Sequence, residues 1–491
     1  MDNQLKVIGK IDLDAINNNG RPRLYQQNDG RFRLLSMSVS FGQRDAVSFD
    51  FGVKVDELVF NYRYFSLFIG NNGVGKSSLL HEIVEFFIDA YNGIGTRDKN
   101  YVNILSLAYE QDDVVYRILR DASAFEYYKN DEKIGRNDIP FPIIIATTSG
   151  LFDKFPVKKK PQKDKEKKED RYNKPFYKYV GPKVNNNMFM SKTNLMLQHL
   201  SAMNTIKHKK QLTKIATLLG FIGYEPKLTF KYKVKDLSES NNESKLNDVS
   251  SRCSEFVRNI PPSKTQEEKI LFKSSTLQEV RSMHLAEIFE LRQKGLLSSF
   301  KCCFYRNNQT IDCNNLSSGE FSMLSIVMSV VLSAEDGNTL ILLDEPEISQ
   351  HPNWQRDMIE NLDMALDGYN CHFLIATHSH LLVSNLPMNR SSVIHVEKKG
   401  EEVSLKPIEA NTFGWSPEEV LLKVFEMTTD RNRYLAEMVG TFIKKISEND
   451  INLERAKEEM AFFDKVSVGL SAVDPMKKII STITEEFCKN G

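Results

Sequence analysis

A short glycine-rich motif between an apolar run and an amphipathic segment restricts the folds open to this chain more than any other feature. Residues 65–70 are apolar and aromatic at strand length, and residues 77–91 carry apolar side chains at helical spacing. The connecting residues match G-x-x-x-x-G-K-[ST], with Ser78 directly after them: Gly70, Asn71, Asn72, Gly73, Val74, Gly75, Lys76 and Ser77. Strand, glycine-rich loop and helix in this order predict an α/β fold whose loop surrounds phosphate groups.

The residue types in this loop are those that phosphate binding requires. Glycines allow the backbone to curl so that its N–H groups converge on phosphate oxygens, and the following helix adds the partial positive charge of its N-terminus. We expect Lys76 to reach the β- and γ-phosphates of ATP and the Ser77 hydroxyl to hold Mg²⁺. The motif therefore predicts a site for ATP and Mg²⁺ at residues 70–78.

Two adjacent carboxylates follow a second apolar run. Residues 340–343 are Leu-Ile-Leu-Leu, which predicts a buried strand, and Asp344 and Glu345 come directly after them. We expect Asp344 to bind Mg²⁺ through water. Glu345 is expected to face an attacking water molecule and to act as the general base in phosphoryl transfer.

A serine-rich segment shortly before this strand separates the classes of ATPase. It reads Leu316, Ser317, Ser318, Gly319 and Glu320 and is followed by a predicted helix over residues 321–334. It resembles the ABC signature L-S-G-G-Q, with serine in place of the third-position glycine and glutamate in place of glutamine. The resemblance implies an ABC-type P-loop ATPase head with a mixed β-sheet, in which two copies sandwich two Mg-ATP molecules head to tail. By this resemblance Ser317 and Gly319 contact the γ-phosphate held by the other copy, and residues 317–320 count as nucleotide-binding.

A histidine after a third predicted strand completes the expected site. His378 follows the apolar residues 371–376 and resembles the ABC switch histidine, with His380 as a competing candidate. Residues 347–355 occupy the position of the D-loop, where the two copies would touch. The Q-loop position stays open between Gln111 and residues 149–155. The residues that contact adenine also stay open, with Arg44 and Phe41 as candidates.

Length and composition indicate several folded units. The chain has 491 residues, and no apolar run of about 18 residues is present, so no membrane partner is expected. We expect an ATPase lobe over residues 1–155, a mainly helical insertion over 156–300, a second ATPase lobe over 301–411 and a helical C-terminal region over 412–491. Six cysteines without a C-x-x-C pair fit a reducing, cytoplasmic setting.

The insertion begins with a basic segment. Residues 158–183 contain eleven basic and four acidic residues, although the net charge of the whole chain is zero. The segment fits either a solvated surface insertion or a docking site for RNA, DNA or an acidic partner. Interleaved aromatic residues suit stacking on nucleotides, and they would equally pack a small subdomain.

Four further stretches carry a resemblance to a narrower family. Residues 343–355 and 376–379 resemble ATPases of bacterial antiphage systems close to the OLD type. Residues 149–155 and 414–421 resemble the Septu ATPases (PtuA), with retron-associated forms among them, and the match covers roughly residues 30–155 and 300–425. The resemblance implies a homodimer or higher homo-oligomer that scaffolds and restrains a separate HNH endonuclease. In retron-associated forms it also implies a reverse transcriptase and its RNA–DNA hybrid.

Other ATPase classes and a nuclease within the chain are weighed against this interpretation. Lys76 and Leu316 are 240 residues apart, and a segment of this length is long for a transport ATPase. The same segment shows no sustained heptad pattern, so it lacks the coiled coil of SMC proteins. A RecF- or SMC-like repair ATPase that acts directly on DNA remains the alternative. No D-x-D follows His378, and the R-x-x-x-E pair Arg433 and Glu437 has no histidine after it. We therefore expect ATPase activity without nuclease activity of the chain's own.

Overall fold

The protein is described here by a computed structural model. The described residues are 31–490 without 43, 53–62, 95–100, 122–123, 151–153, 158–170, 186–187, 206–208, 263, 335–336, 401, 409–414, 424–431, 449–450 and 471–473. Half of the basic segment, part of the candidate Q-loop and the start of the 414–421 stretch therefore lie outside the described residues.

A seven-stranded sheet forms the centre of the ATPase lobes. Its order is β19-β18-β3-β17-β16-β8-β9, and only the edge strand β19 runs antiparallel to its neighbour. The strands are β3 (Arg63–Ile69), β8 (Ile143–Thr148), β9 (Tyr177–Tyr179), β16 (Thr339–Asp344), β17 (Cys371–Thr377), β18 (Ser391–Lys399) and β19 (Glu402–Ile408). This arrangement confirms the predicted α/β fold with a mixed sheet.

Both faces of this sheet are covered, as its continuously apolar strands require. Leu67 and Leu343 point into a core with α8 (Ser318–Ser333) and α9 (Pro352–Ala365). Phe68 and Leu342 point into a second core with α1 (Lys76–Asn92). The alternation along each strand places the two helices that carry the loop and the signature on opposite faces.

An antiparallel sheet lies over α1. Its order is β2-β1-β4-β5-β6-β7, and its strands are β1 (Phe32–Phe41), β2 (Val47–Asp50), β4 (Val102–Gln111), β5 (Val114–Arg120), β6 (Phe125–Lys129) and β7 (Glu132–Ile134). Two-residue turns with positive φ join consecutive strands at 112–113 and 130–131. Asp and Asn adopt this conformation more readily than other residues, and such turns match the twist of a hairpin.

The insertion differs from the expected mainly helical region. It contains the helices α2 (Lys192–Ser201), α3 (Lys209–Phe221), α4 (Ser240–Leu246), α5 (Ser251–Arg258), α6 (Leu277–Ser282) and α7 (Leu285–Gln293), and a short hairpin of β10 (Lys183–Asn185) and β11 (Met188–Phe189). A four-stranded antiparallel sheet accompanies them, in the order β13-β12-β14-β15. Its strands are β12 (Lys227–Val234), β13 (Thr265–Leu271), β14 (Leu297–Arg306) and β15 (Gln309–Asp312).

The alternation of polar and apolar residues explains strand β12 within the insertion. Residues 230–234 read Phe-Lys-Tyr-Lys-Val, and the side chains of Phe230, Tyr232 and Val234 are buried. Strand β14 spans the boundary expected at residue 300. It pairs with β12 on one side and with β15 on the other, so one sheet joins the two expected regions. The domain limits given above remain a proposal.

The described part of the C-terminal region is helical. It consists of α11 (Pro417–Lys423), α12 (Arg433–Ser447), α13 (Leu453–Ser467) and α14 (Pro475–Asn490), with α10 (His380–Val383) preceding them. These helices share a small core around Leu435, Phe442 and Phe463. In the described residues we find no helix with the length and apolar character needed to cross a membrane.

Candidate nucleotide-binding site

The order of the central strands brings three predicted motifs to one edge of the sheet. The parallel strands β3, β17 and β16 lie side by side, so their carboxyl ends meet there. The glycine-rich loop follows β3, Asp344 ends β16 and His378 follows β17. Such an edge, outside the carboxyl ends of the strands, is where open α/β sheets bind ligands.

The glycine-rich loop requires its glycines. Gly70 has φ 151°, and a Cβ there would lie 2.2 Å from the carbonyl oxygen of Val396. Gly73 and Gly75 have φ 81° and 107°, in the left-handed region that favours glycine. The Lys76 ammonium is buried and donates to the carbonyls of Gly70 at 2.8 Å and Asn71 at 3.1 Å. Lysine and backbone thus hold the loop in a closed curl.

Acidic groups partly offset the burial of this lysine. Burial lowers the pKa of Lys76, whereas the nearby carboxylates of Glu345, Glu347 and Asp344 raise it. The ammonium therefore lies among anions on one side and backbone carbonyls on the other. A phosphate chain would add the negative charge that a buried cation favours.

Ser77 and Asp344 form a pair of oxygen ligands. The Ser77 hydroxyl donates to Asp344 Oδ1 at 2.8 Å, and the buried Asp344 stands at the carboxyl end of β16. Thr148, at the end of the neighbouring strand β8, donates from its hydroxyl to the Asp344 carbonyl at 2.9 Å. A hydroxyl and a carboxylate oxygen at a phosphate-binding loop fit Mg²⁺, which prefers hard oxygen ligands.

Glu345 and His378 face each other. His378 Nδ1 lies 2.6 Å from Glu345 Oε2. Glu345 has φ 49°, and its backbone N–H donates to the carbonyl of Ala376 at 2.8 Å. This strained conformation turns Glu345 away from the course of β16 and toward the end of β17.

The contact shifts both ionisation equilibria. The hydrogen bond to Glu345 raises the pKa of His378 despite its partial burial. Burial alone would raise the pKa of Glu345, but the hydrogen bond and charge of His378, together with the charge of Lys76, lower it. A carboxylate and an imidazolium are therefore the favoured charge states of the pair.

A second, buried carboxylate holds the histidine segment from behind. Glu347 Oε1 accepts from the Thr377 hydroxyl at 2.5 Å and from the His378 backbone N–H at 3.0 Å. Its Oε2 is buried without a hydrogen-bond partner among the described residues, and burial raises the pKa of Glu347. Ligand atoms of Glu345, Glu347 and His378 lie within 4.8 Å of one another. The sequence predicts Glu347 only as the first residue of the D-loop position and not as a partner of the histidine segment, although a third acid directly after Asp344-Glu345-Pro346 is a signal.

The residues at the D-loop position attach to the same segment. Gln355 accepts from the Ser379 hydroxyl at 2.8 Å and donates from its amide to the Gln350 carbonyl at 3.1 Å. Gly319, in the signature, packs against this stretch, because a Cβ there would lie 2.6 Å from the carbonyl oxygen of Ser349. Residues 345–355 therefore lie between the histidine and the signature of the same copy.

The signature itself faces outward. Ser317 caps α8: its hydroxyl accepts from the backbone N–H of Glu320 at 3.2 Å, and the Glu320 carboxylate accepts from the Ser317 N–H at 2.9 Å. Ser317 and Ser318 are exposed. Across the described part of the chain, no hydrogen bond joins residues 317–320 to the loop at 70–77. The predicted serines are thus presented at the surface rather than to the loop of their own copy.

The Glu320 carboxylate is occupied within its own copy. Arg306 donates to it at 2.5 Å, and the Arg306 guanidinium lies 4.1 Å from the centre of the Tyr224 ring. Burial alone would raise the pKa of Glu320, but hydrogen bonds from Arg306, Ser317 and Tyr224 lower it to about 2. The structure gives Glu320 a capping role, and its expected contact with nucleotide stays a prediction.

The structure narrows the candidates for the Q-loop and for the contact with adenine. The Ser149 hydroxyl lies 2.8 Å from that of Ser322 in α8, and Lys154 donates to the Ser78 hydroxyl at 2.7 Å. Ser149 thus touches the signature helix and Lys154 touches the first turn of α1, whereas Gln111 ends β4 in the other sheet. Phe41 is buried against Tyr101, so its ring is not open to a base.

Comparison with known proteins shows the family to which the chain belongs. A family model described as AAA_15, AAA ATPase domain, matches residues 49–383, which is more than half of the chain. The chain belongs to the AAA_15 family of ATPase domains. The matched region contains the loop at 70–77, the signature, Asp344–Glu345 and His378 of this ATPase domain.

Curated relatives confirm the predicted resemblance. The ATPase is 23% identical over 205 residues to the Septu protein PtuA of Bacillus thuringiensis, covering 38% of this chain and 50% of the relative. It is 22% identical over 169 residues to the "Retron Vc95 probable ATPase" of Vibrio cholerae serotype O1 biovar El Tor, covering 32% of each. The chain thus spans half or less of the curated relatives it matches.

Solved structures give a weaker likeness. The SMC head domain from Thermotoga maritima aligns with 77% of this chain and 100% of its own, at 9% identity and a TM-score of 0.36. An SMC head bound to the C-terminal winged-helix domain of ScpA aligns with 76% of this chain and 98% of its own, at 10% identity and the same TM-score. A TM-score of this size is too low to support an argument about function.

Proposed function

We propose that this ATPase binds and hydrolyses ATP in composite sites that form when two copies meet head to tail. The observation that carries the proposal is the set of groups at one sheet edge: the Ser77–Asp344 pair, the Glu345–His378 pair and the closed loop around Lys76. They supply a metal site, a base with its partner and a phosphate cradle. The outward-facing Ser317 supports the need for a second copy.

Each group has a distinct part in the proposed reaction. Lys76 and the N–H groups of the loop bind the phosphates, and Ser77 and Asp344 would hold Mg²⁺. Bound Mg²⁺ would neutralise charge on the phosphate oxygens. Glu345 accepts the proton of the attacking water, and His378, hydrogen-bonded to it, contacts the γ-phosphate. The predicted nucleotide contacts at 70–78 and 317–320 belong to this proposal.

At the level of the cell, we propose an ATPase of an antiphage defence system. The support is the similarity to PtuA and to a retron ATPase. The role is a proposal because the alignments cover only part of each relative. In this proposal the ATPase scaffolds and regulates a separate HNH endonuclease, with a reverse transcriptase and its RNA–DNA hybrid where a retron is present. A cytoplasmic location belongs to the same proposal, and five free, buried cysteines support it: Cys253, Cys302, Cys303, Cys313 and Cys371.

The proposal is tested with two variants of the site. Glu345→Gln keeps the loop intact but removes the base, so it should bind Mg-ATP, hydrolyse it at least about a hundredfold more slowly and accumulate as an ATP-bound dimer. Lys76→Ala should lose ATP binding and remain unable to dimerise with ATP. Size-exclusion chromatography with light scattering and a phosphate-release assay measure both. Hydrolysis by Glu345→Gln at the wild-type rate would contradict the assignment of the base.

The same two variants test the partner when they are used as bait in the native operon. The trapped Glu345→Gln protein should retain an HNH protein, with or without a reverse transcriptase, and the Lys76→Ala protein serves as the matched control. A bait that comes down alone and binds DNA in an ATP-dependent manner would favour the alternative, a repair ATPase that acts directly on DNA.

A further inference from the structure

A second lysine reaches the first turn of α1 from outside the glycine-rich loop. The Lys154 ammonium donates to the Ser78 hydroxyl at 2.7 Å. Lys154 is exposed, whereas Lys76 is buried and bonded to carbonyls inside the loop. The two hydroxyls that open the helix therefore face different partners, because Ser77 donates to Asp344 and Ser78 accepts from Lys154.

The ammonium of Lys154 lies beside the N-terminus of α1. The N-terminus of a helix carries partial positive charge, and the first turn of α1 contains no acidic residue. Lys154 forms no ion pair with any residue that the structure describes. A cation held at this position gains favourable interactions once an anion binds to the same helix N-terminus.

The position of Lys154 is built by its buried neighbours. Phe155 is 1% exposed and packs into the core beneath α1. Its carbonyl accepts from the Lys183 ammonium at 3.1 Å, and the next carbonyl, that of Pro156, accepts from the Tyr177 hydroxyl at 2.8 Å. These contacts fix the backbone directly after Lys154, so the ammonium is directed at α1 by a packed segment.

We propose that Lys154 is a second phosphate-binding cation of the nucleotide site, contacting the polyphosphate beside Ser78 while Lys76 contacts it from the loop. The inference rests on the proposed function, since the ligand is the same ATP. It assigns a nucleotide contact to the segment after β8, a segment whose Ser149 also touches Ser322 of the signature helix. In the ATP-bound protein a phosphate oxygen accepts a hydrogen bond from the Lys154 ammonium, either in place of the Ser78 hydroxyl or together with it.

Titration calorimetry with Mg-ATP tests the role of Lys154. Lys154→Ala should weaken binding about tenfold or more, since one charge-assisted hydrogen bond is lost. Lys154→Arg should keep most of the affinity, and Lys154→Glu should lose more than the alanine variant. In hydrolysis, KM should rise more than kcat falls, because Glu345 and His378 are untouched. Lys129→Ala, which removes an exposed lysine of the other sheet, is the matched control and should bind as wild type.

The outcomes separate this inference from the proposed function. If the wild-type protein binds Mg-ATP, Lys76→Ala does not, and Lys154→Ala binds as wild type, then Lys154 is not a phosphate ligand. If the wild-type protein fails to bind Mg-ATP, the proposed function itself is wrong. Equal melting temperatures of the wild-type protein and the Lys154 variants show that a change in affinity does not come from unfolding.

Discussion

At the scale of single residues, the contact between Glu345 and His378 joins the proposed base to the proposed phosphate sensor. Its length of 2.6 Å marks a charge-assisted hydrogen bond. Glu347 accepts from the backbone N–H of the same histidine, and its Oε1 also lies 3.5 Å from His378 Nδ1, so two carboxylates lie near that one ring nitrogen. The position of His378 therefore depends on two acids from the segment after β16.

The charge state of this pair gives a prediction for pH. His378 has its pKa raised by Glu345, and Glu345 has its pKa lowered by His378 after the opposing effect of burial. The stabilising effect of the raised histidine is complete below its ordinary pKa of 6.5 and is lost as pH rises through its folded value. That of the lowered glutamate is present above its ordinary pKa of 4.5 and is lost as pH falls through its folded value. The pair thus stabilises the nucleotide-free protein most between these ordinary values.

NMR of ¹³C-labelled histidine rings measures the effect directly. In nucleotide-free Glu345→Gln protein the neutral amide replaces the anion, so the pKa of His378 should fall. The His378 signal is assigned by its loss in His378→Ala. An unchanged pKa in the variant would show that Glu345 does not set the charge of the histidine.

The sequence predicted the residues whose roles follow from local spacing. Lys76 and Ser77 follow the loop after β3. Asp344 ends β16, Glu345 comes directly after it, and His378 follows β17. The structure brings these residues to one edge of the sheet. The contacts of Glu347 with Thr377 and of Lys154 with Ser78 join residues far apart in the chain, 30 positions in the first pair and 76 in the second. Contacts of this kind arise from the packing of strands and helices, which residue spacing alone does not encode.

At the scale of elements, α1 is fixed to the antiparallel sheet by buried charges. Arg120 of β5 donates to Glu82 at 2.7 Å and lies 3.4 Å from Asp89, both on α1. Arg171 also contacts Asp89 and lies 2.8 Å from Glu85. The helix that begins at the nucleotide loop is therefore held by arginines from two other parts of the chain.

Removing one of these arginines should destabilise the fold strongly. Arg120→Met removes the buried guanidinium that pairs with Glu82 and Asp89 and should lower the free energy of unfolding by about 3 kcal/mol. Arg117 of the same strand pairs with the exposed Asp131, so Arg117→Met should change it by about 1 kcal/mol or less. Urea denaturation followed by circular dichroism compares the two variants. Equal losses would mean that the buried network does not hold α1.

Elements were predicted best where their sequence period is plain. The apolar runs of β16 and β17 read as buried strands, and the ATPase core has them as neighbours. Strands β12 and β13 were missed because short helices separate them from each other and from β14, and the paired strands β12 and β14 are far apart in sequence. Pairing between distant segments depends on the whole fold rather than on any one run of residues.

At the scale of the whole molecule, the loop and the signature of one copy lead into helices that pack on opposite faces of the central sheet. The loop at 70–77 and the exposed Ser317 and Ser318 are not hydrogen-bonded to each other. Gly319 packs against the carbonyl of Ser349, which links the signature to the segment that holds His378. When the signature of one copy docks on ATP bound to the other copy, the docking would thus be felt by the segment that holds the histidine of the docking copy.

Mixing two inactive variants tests the composite site most directly. Lys76→Ala removes nucleotide binding, and Ser318→Glu places a negative charge beside the γ-phosphate while an acid there still suits the helix N-terminus. In a head-to-tail dimer of one copy of each, one site keeps an intact loop and an intact signature. Each variant alone should hydrolyse ATP at a background rate. An equimolar mixture should recover hydrolysis well above background, up to about half of the wild-type rate, because each mixed dimer has one intact site of two. A mixture that stays at background, while Ser318→Glu alone still binds ATP and dimerises, would contradict the composite site.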